Sequence, residues 1–325
     1  MSTDVLRDYY QQRGLSEQQT NDAIAIVKEL DEYLKTKGLS VNQAAVDEVK
    51  GFVNLLIETQ RNSRGNLLAL SRYFYITKQD DLYVYFASFF NTDGVVENIK
   101  MSIQESEGQS VADEIFADIE FPPLGTPPQM MPEFTNKVMT SIKSKLTPEV
   151  YRPLMAGNNH GIPKERMLKE KECYEQADSL ADYLKGRHNR RVAELQQHCD
   201  ENKLWFEQQI TQEVVDFVES NQEILSAVRQ NDELYVTKIP YDPVNYLHAN
   251  NKEDKLYYAC HCPFVREAIR DKTVIEPDWC YCSAGFAKYP FEVMFDTPLE
   301  VELLTSPLLG DELCRFKIKL PKHVK

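Results

Sequence analysis

Cys314-Arg315-Phe316-Lys317-Ile318-Lys319-Leu320 decides the fold class. Cys314, Phe316, Ile318 and Leu320 alternate with three cationic side chains, and successive side chains of an extended chain point to opposite faces. The segment therefore reads as a half-buried antiparallel strand with Cys314 facing inward. The same period recurs upstream at 299–304, 292–295, 256–260 and 234–239. Residues 133–146, 164–185 and 191–228 precede these and carry helical periodicity, with the loop Gly157-Asn158-Asn159-His160-Gly161 separating the first two. Helices first and strands afterward predict an α+β domain over residues 133–325, its helices packed on one face of an antiparallel sheet.

The first hundred residues read as helices only. Ser16 with Gln19 and Ser40 with Gln43 fit the capping-box pattern, and Gly14 and Gly38 stand where helices end. Ala23, Ile26, Val27, Leu30 and Leu34 form one apolar stripe, and Phe52, Leu55, Leu56, Leu67, Leu70, Tyr73 and Phe74 supply others. A helical bundle is expected over residues 1–103. Residues 104–132 turn acidic and then proline-rich, with Pro122-Pro123 and Pro127-Pro128 as breakers, and are expected to connect the two domains.

A formal charge of −14 over 325 residues argues against a nucleic-acid surface, which draws its affinity from neutralising phosphates. Residues 1–12 lack the basic start and apolar core of a secretory leader, and no stretch approaches a membrane span. Seven cysteines, an odd number, together with no leader point to a reducing compartment, where clustered thiols serve as ligands or reactive groups. A cytoplasmic protein without membrane contact is expected.

Five of those cysteines lie in Cys260-His261-Cys262, Cys280-Tyr281-Cys282 and Cys314. On extended backbone the two sulfurs of Cys-x-Cys face the same side, a pincer for a soft or borderline metal such as zinc. Pro263 after Cys262 and Ser283 after Cys282 suggest helix starts, where free amides and the dipole lower a thiol's pKa. Three readings stand: small residues filling a core, a metal site with sulfur or mixed sulfur and histidine ligands, and a nucleophilic or redox thiol. Iron–sulfur binding also suits four thiolates, although the ferredoxin spacings are absent.

The stretch from Cys280 through Gly285-Phe286, Leu299-Glu300-Val301-Glu302 and Gly310-Asp311-Glu312-Leu313-Cys314-Arg315-Phe316 resembles the end of the 4-vinyl reductase domain. The same ending is similar to that of the L-2-amino-thiazoline-4-carboxylate hydrolase family. This resemblance, over about residues 135–325, implies a mixed helix-and-sheet domain enclosing a small organic ligand, with zinc near the sheet in the transcription-activator members. Cys280 and Cys314 occupy two of their ligand positions. Ser306 stands where those members carry a further cysteine, and their acidic ligand has no clear counterpart, so Cys260, Cys262 and Cys282 are the candidates to compensate. The N-terminal run through Tyr33-Leu34, Gly38-Leu39-Ser40, Phe52 and Leu70-Ser71-Arg72-Tyr73-Phe74-Tyr75 faintly resembles the core-binding domain of tyrosine recombinases, and His188-Asn189-Arg190-Arg191 matches their His-x-x-Arg element. Eleven basic against fourteen acidic residues in the first hundred do not suit a DNA clamp.

His261 alternates away from its flanking cysteines, which favours a surface or pocket role over the pincer. His160 sits in a loop, where function concentrates, although turn chemistry alone explains its Gly and Asn neighbours. Tyr257, Tyr258, Trp279, Tyr281 and Phe286 are candidates to line an apolar pocket or to fill a core. The basic run 185–191 suits an anion or a solvated helix connection. Phosphate-binding glycine loops, dinucleotide fingerprints, zinc-protease helices and nucleophile elbows are absent. The expected function is zinc binding by a C-terminal domain that takes a small organic ligand, its N-terminal bundle contacting a protein partner or a second copy. The alternatives are a thiol- or metal-dependent hydrolase of a small cyclic amide or thiazoline-like substrate, with Cys262 as nucleophile, and an interaction module with a structural zinc.

Overall fold

A computed structural model describes residues 3–322 and 324 and divides into two compact units, Met1–Asp93 with Phe121–Pro127, and Gly94–Glu120 with Pro128–Lys325. The boundaries thus differ from those expected. Residues assigned to the connection continue one helix to Glu107 and form another over Gln109–Phe116, while Phe121–Pro127 belongs to the first unit.

The first unit is a bundle of α1 (Asp4–Gln12), α2 (Glu17–Lys35), α3 (Val46–Glu58), α4 (Arg64–Ile76) and α5 (Asp80–Ser88). Ser16 and Gln19 form the expected capping box on α2, and Gly14 and Gly38 adopt left-handed φ where α1 and α2 end. Ser40 and Gln43 do bond to each other, but they close a turn, and α3 starts at Val46 with Glu48 reaching back to the Ala45 N–H at 2.7 Å. Leu30, Leu34, Phe52, Leu56, Leu70 and Phe74 are fully buried in one core. Burying each such side chain contributes roughly 1.5–3 kcal/mol, which is why the stripes hold the bundle together.

The second unit is α+β. It runs α6 (Val95–Glu107), α7 (Gln109–Phe116), α8 (Met131–Lys145), α9 (Pro148–Met155), α10 (Leu168–Glu175), α11 (Leu180–Asp200), α12 (Gln212–Glu219), β1 (Val228–Gln230), β2 (Glu233–Thr237), α13 (Pro243–His248), α14 (Lys252–Ala259), α15 (Arg266–Asp271), α16 (Tyr281–Phe295), β3 (Val301–Thr305) and β4 (Arg315–Lys319). The strands form one antiparallel sheet in the order β1-β2-β4-β3. Leu234 faces Ile318 and Val236 faces Phe316 across β2 and β4. Leu234, Val236 and Ile318 pack with Leu180, Tyr183 and Leu184 of α11 and Phe291, Met294 and Phe295 of α16, and Phe316 packs with Ala284 of α16 and Cys314, whereas Lys317 pairs with Glu302 and Glu233 from the neighbouring strands. Helices cover one face of the sheet, as the alternation predicted.

Two expected strands are helical. Residues 256–260 end α14, which Asn251 caps by accepting the Asp254 N–H at 2.9 Å. Residues 292–295 are the last turn of α16, which stops where Asp296 turns left-handed. Short apolar runs fit either period, and here a cap or a longer helix decides. The expected helix over 191–228 begins earlier, at Leu180, where Ser179 caps it, and breaks after Asp200. Among the described residues no helix is long and apolar enough to cross a membrane.

Candidate functional site

Three segments of the second unit carry the clustered cysteines. Extended backbone at Cys260 (φ −76°, ψ 115°) ends α14, and the Cys262 carbonyl accepts the N–H groups of Val265 at 3.2 Å and Arg266 at 2.9 Å. The N–H groups of Phe264 and Val265 and the Trp279 indole work against the rise that burial gives the Cys262 pKa, while the buried Trp279 Nε1 itself has no hydrogen-bond partner among the described residues. Cys262 thus opens the turn leading into α15 through its carbonyl, not its side chain, and Pro263 fits a place that needs no donor. The junction joins helix to helix, not strand to helix as expected.

The second pair is not a pincer. A 3₁₀ turn, Pro277–Cys280, runs into α16, so Cys280 and Cys282 stand on helical backbone. Helical residues advance by about 100° each, and side chains two apart diverge. Ser283 is also no cap: it lies within α16, where its hydroxyl accepts the Lys238 ammonium at 2.8 Å. Cys314 stands just before β4, buried as expected, and its carbonyl accepts the Lys238 N–H at 2.9 Å.

The sulfurs nevertheless converge. Within the set Cys260, Cys262, Cys280 and Cys314, every pair is near enough that negative charge on one opposes ionisation of the other. Cys282 faces Cys262, and its Sγ lies 3.5 Å from His160 Nε2. Burial pushes Cys282 up to about 12 and Cys314 up to about 11, and it raises Cys260, Cys262 and Cys280 as well. The expected activation by helix starts is therefore outweighed, and all five are protonated at neutral pH. Ser306 is wholly buried, and its hydroxyl works against the rise at Cys280. Cys173 and Cys199 lie in α10 and α11, packed against other parts of the core.

His160 and His261 are neutral. His160 is brought to Cys282 by a close crossing: a Cβ on Gly285 of α16 would lie 2.3 Å from the Gly157 carbonyl oxygen, so only glycine lets the helix meet this loop. Asn159 holds the loop by donating to Met155 O at 2.7 Å, and Asn98 donates to Asn159 O at 2.8 Å. Burial of its ring and then Lys238 lower the His160 pKa to about 4. His261 meets the Ile239 carbonyl oxygen at 2.5 Å, and burial lowers its pKa to about 3. It packs edge-on to Tyr241, so the pocket or surface role expected of it is replaced by packing.

The aromatics divide in the same way. Trp279 is wholly buried against Phe264, Tyr258 packs on Tyr257, and Tyr281 lies under Arg152. Phe286 is half exposed, with His160 edge-on and Lys238 over its ring. A cleft of about 370 Å³ lies between α7 and α8, lined by Ile115, Asp118, Lys137 and Ser141 among others, and it includes none of the expected pocket residues. The basic run 185–191 is the middle of α11. Arg187, Arg190 and Arg191 surround Glu170 and hold its carboxyl below the usual range, so an internal carboxylate answers the expected anion. His188 is buried in the same helix beside Glu219 O.

Two cations escaped sequence reading. Lys238 follows β2 and senses Cys262, Cys282 and Cys314, while Arg266 stacks on Tyr241 and Tyr257 and senses Cys260. No local pattern marks either one, because each meets the sulfurs only through the fold. Among the described residues no three His, Cys, Asp or Glu side chains already form a group that would hold a metal ion.

Residues 243–325, which include all five clustered cysteines, match a family described as a family of unknown function (DUF6144). No curated protein and no solved structure gives a significant match.

Proposed function

We propose that Cys260, Cys262, Cys280 and Cys314 bind one divalent ion, zinc by preference, and that the ion fastens the segments after α14, before α16 and before β4 to one another. The observation that carries this reading is the mutual proximity of every pair in the set. Four acidic groups gathered away from water oppose one another's ionisation, and a cation shared among them reverses that opposition.

Zinc accepts four sulfurs in a tetrahedron, and a set closed in this way is structural, whereas catalytic zinc keeps an open position. This favours the structural role over hydrolysis. Elemental analysis of protein purified under reducing conditions without chelators should find close to one zinc per chain, with these four thiols slow to react until metal is removed. Metal-free protein whose four thiols react at once would refute the reading.

A further inference from the structure

His160 and Cys282 make a contact that the four proposed ligands do not account for. His160 is exposed to solvent as a residue, yet its Nε2 lies 3.5 Å from the Cys282 sulfur, and Cys282 is buried. The imidazole therefore reaches from the surface to a sulfur inside the fold. The contact is held from both sides: Asn159 ties down the loop by donating to Met155 O at 2.7 Å, and at Gly285 the helix approaches so closely that a Cβ would lie 2.3 Å from Gly157 O. Half-exposed Phe286, one turn after Cys282 in α16, packs edge-on against the ring.

The separation suits an ion shared by the two side chains. A sulfur at about 2.3 Å and a nitrogen at about 2.0 Å from one tetrahedral zinc stand about 3.5 Å apart. The pair also adjoins the proposed centre. Cys282 follows Cys280 by two residues on helical backbone, which puts their Cα atoms about 5.4 Å apart. Two ligands hold an ion loosely where four hold it firmly, so an ion met by this pair has reason to move inward. Lys238, donating to Ser283 beside Cys282 at 2.8 Å, sets a positive charge nearby, and a cation is retained there only by direct ligation. Of the proposed ligands, Cys260, Cys280 and Cys314 are buried and Cys262 is half-buried, which makes Cys262 the competing point of access.

We propose that His160 and Cys282 form the entry route by which a divalent ion reaches and leaves the four-thiol centre, acting on its rate while standing outside the final ligand set. This rests on the reading of Cys260, Cys262, Cys280 and Cys314 as ligands. A route alters how fast the ion arrives and departs and leaves the equilibrium unchanged. Blocking it slows uptake and release by the same factor.

The test uses the full chain, stripped of metal under reducing conditions and mixed rapidly with cobalt, the thiolate-to-cobalt charge-transfer band reporting uptake; transfer of bound zinc to a chromophoric chelator reports release. His160→Gln and Cys282→Ser should each slow both steps roughly tenfold, a barrier higher by about 1.4 kcal/mol, with zinc stoichiometry, affinity and metal-free melting temperature as in wild type. His160→Cys keeps a ligand at the entrance and should recover the rate. Wild-type rates in either His160→Gln or Cys282→Ser, or no recovery in His160→Cys, overturn the route and leave the thiolate centre standing. Weaker equilibrium binding in His160→Gln or Cys282→Ser makes that residue a ligand and overturns the route. Slowing accompanied by a lowered metal-free melting temperature assigns the pair to packing and does the same. A wild-type protein without the cobalt band overturns the thiolate centre and the route together.

Discussion

Zinc binding by four buried thiols has to displace protons, and their number identifies the ligands. Burial holds Cys260, Cys262, Cys280 and Cys314 in the protonated form, Cys314 up to about 11, so each must lose a proton to ligate. While every ligand starts protonated, the apparent affinity gains one power of ten per proton for each pH unit. Four sulfurs give roughly 10⁴-fold per pH unit between about pH 6 and 8, or about 5 kcal/mol. His160, its pKa lowered to about 4, is already neutral there, so a site of three sulfurs and this imidazole has a slope of about three powers of ten. Exposed thiols near their ordinary pKa of about 8.5 would show a slope that falls off toward the upper end of the range. Competition against a chromophoric chelator at several pH values gives the slope. Calorimetry in buffers of different protonation enthalpy counts the released protons independently. A slope below about two, or binding that ignores pH, would refute ligation by this buried set.

The same pKa shifts make the metal-free fold sensitive to alkali. The folded thiols titrate above the unfolded value of about 8.5, so stability is intact below that pH and falls as pH rises toward the folded values, at roughly 1.4 kcal/mol per thiol per pH unit. Denaturation midpoints at pH 7.5 and 9.5 measure this loss, and bound zinc should abolish it. Cys280→Ser should lose stoichiometric zinc while Cys282→Ser keeps it, because helical backbone separates these sulfurs; elemental analysis of both variants decides, and equal loss would restore the pincer. Gly285→Ala places a Cβ 2.3 Å from Gly157 O and 2.6 Å from Ala156 C, both backbone atoms, and should cost about 1–3 kcal/mol in urea denaturation. Ser16→Ala removes the α2 cap and should lower the stability of the N-terminal unit by about 1 kcal/mol, read from the urea midpoint of the full chain.

The fold class was legible because two patterns are strong. Alternation through Cys314, Phe316, Ile318 and Leu320 fixed both a strand and its inward face, and the stripe from Ala23 to Leu34 fixed α2. Residues 256–260 and 292–295 misled because four or five apolar positions satisfy either period, and the deciding contacts, the Asn251 cap and the length of α16, lie outside those windows. The break after Asp200 was also hidden. It is set by a tight turn in which Trp205 and Gln208 bond to each other, while Gln208 donates to the carbonyls of Pro240 and Tyr241, which are distant in sequence.

The cysteines show how a spacing argument can rest on a geometry that the fold does not adopt. Two extended pincers would each supply two sulfurs facing one way, and the site would then depend on strands. Only the 260–262 segment is free of helix. Cys280 meets the others because the 3₁₀ turn before α16 lies against Ser306 and the entry to β4, and it does so as an individual residue. Cys282, one helical half-turn on, is directed to Cys262 and the His160 loop that Gly285 admits. Five sulfurs thus resolve into four that oppose one another's ionisation and a fifth that opposes only Cys262 and sits 3.5 Å from a neutral imidazole. Sequence spacing cannot separate these two groups, since the division depends on which side of a helix each thiol occupies. The helix that spoils the pincer is therefore what gives the fifth sulfur a different neighbour, and it is the reason that the proposed ligands number four.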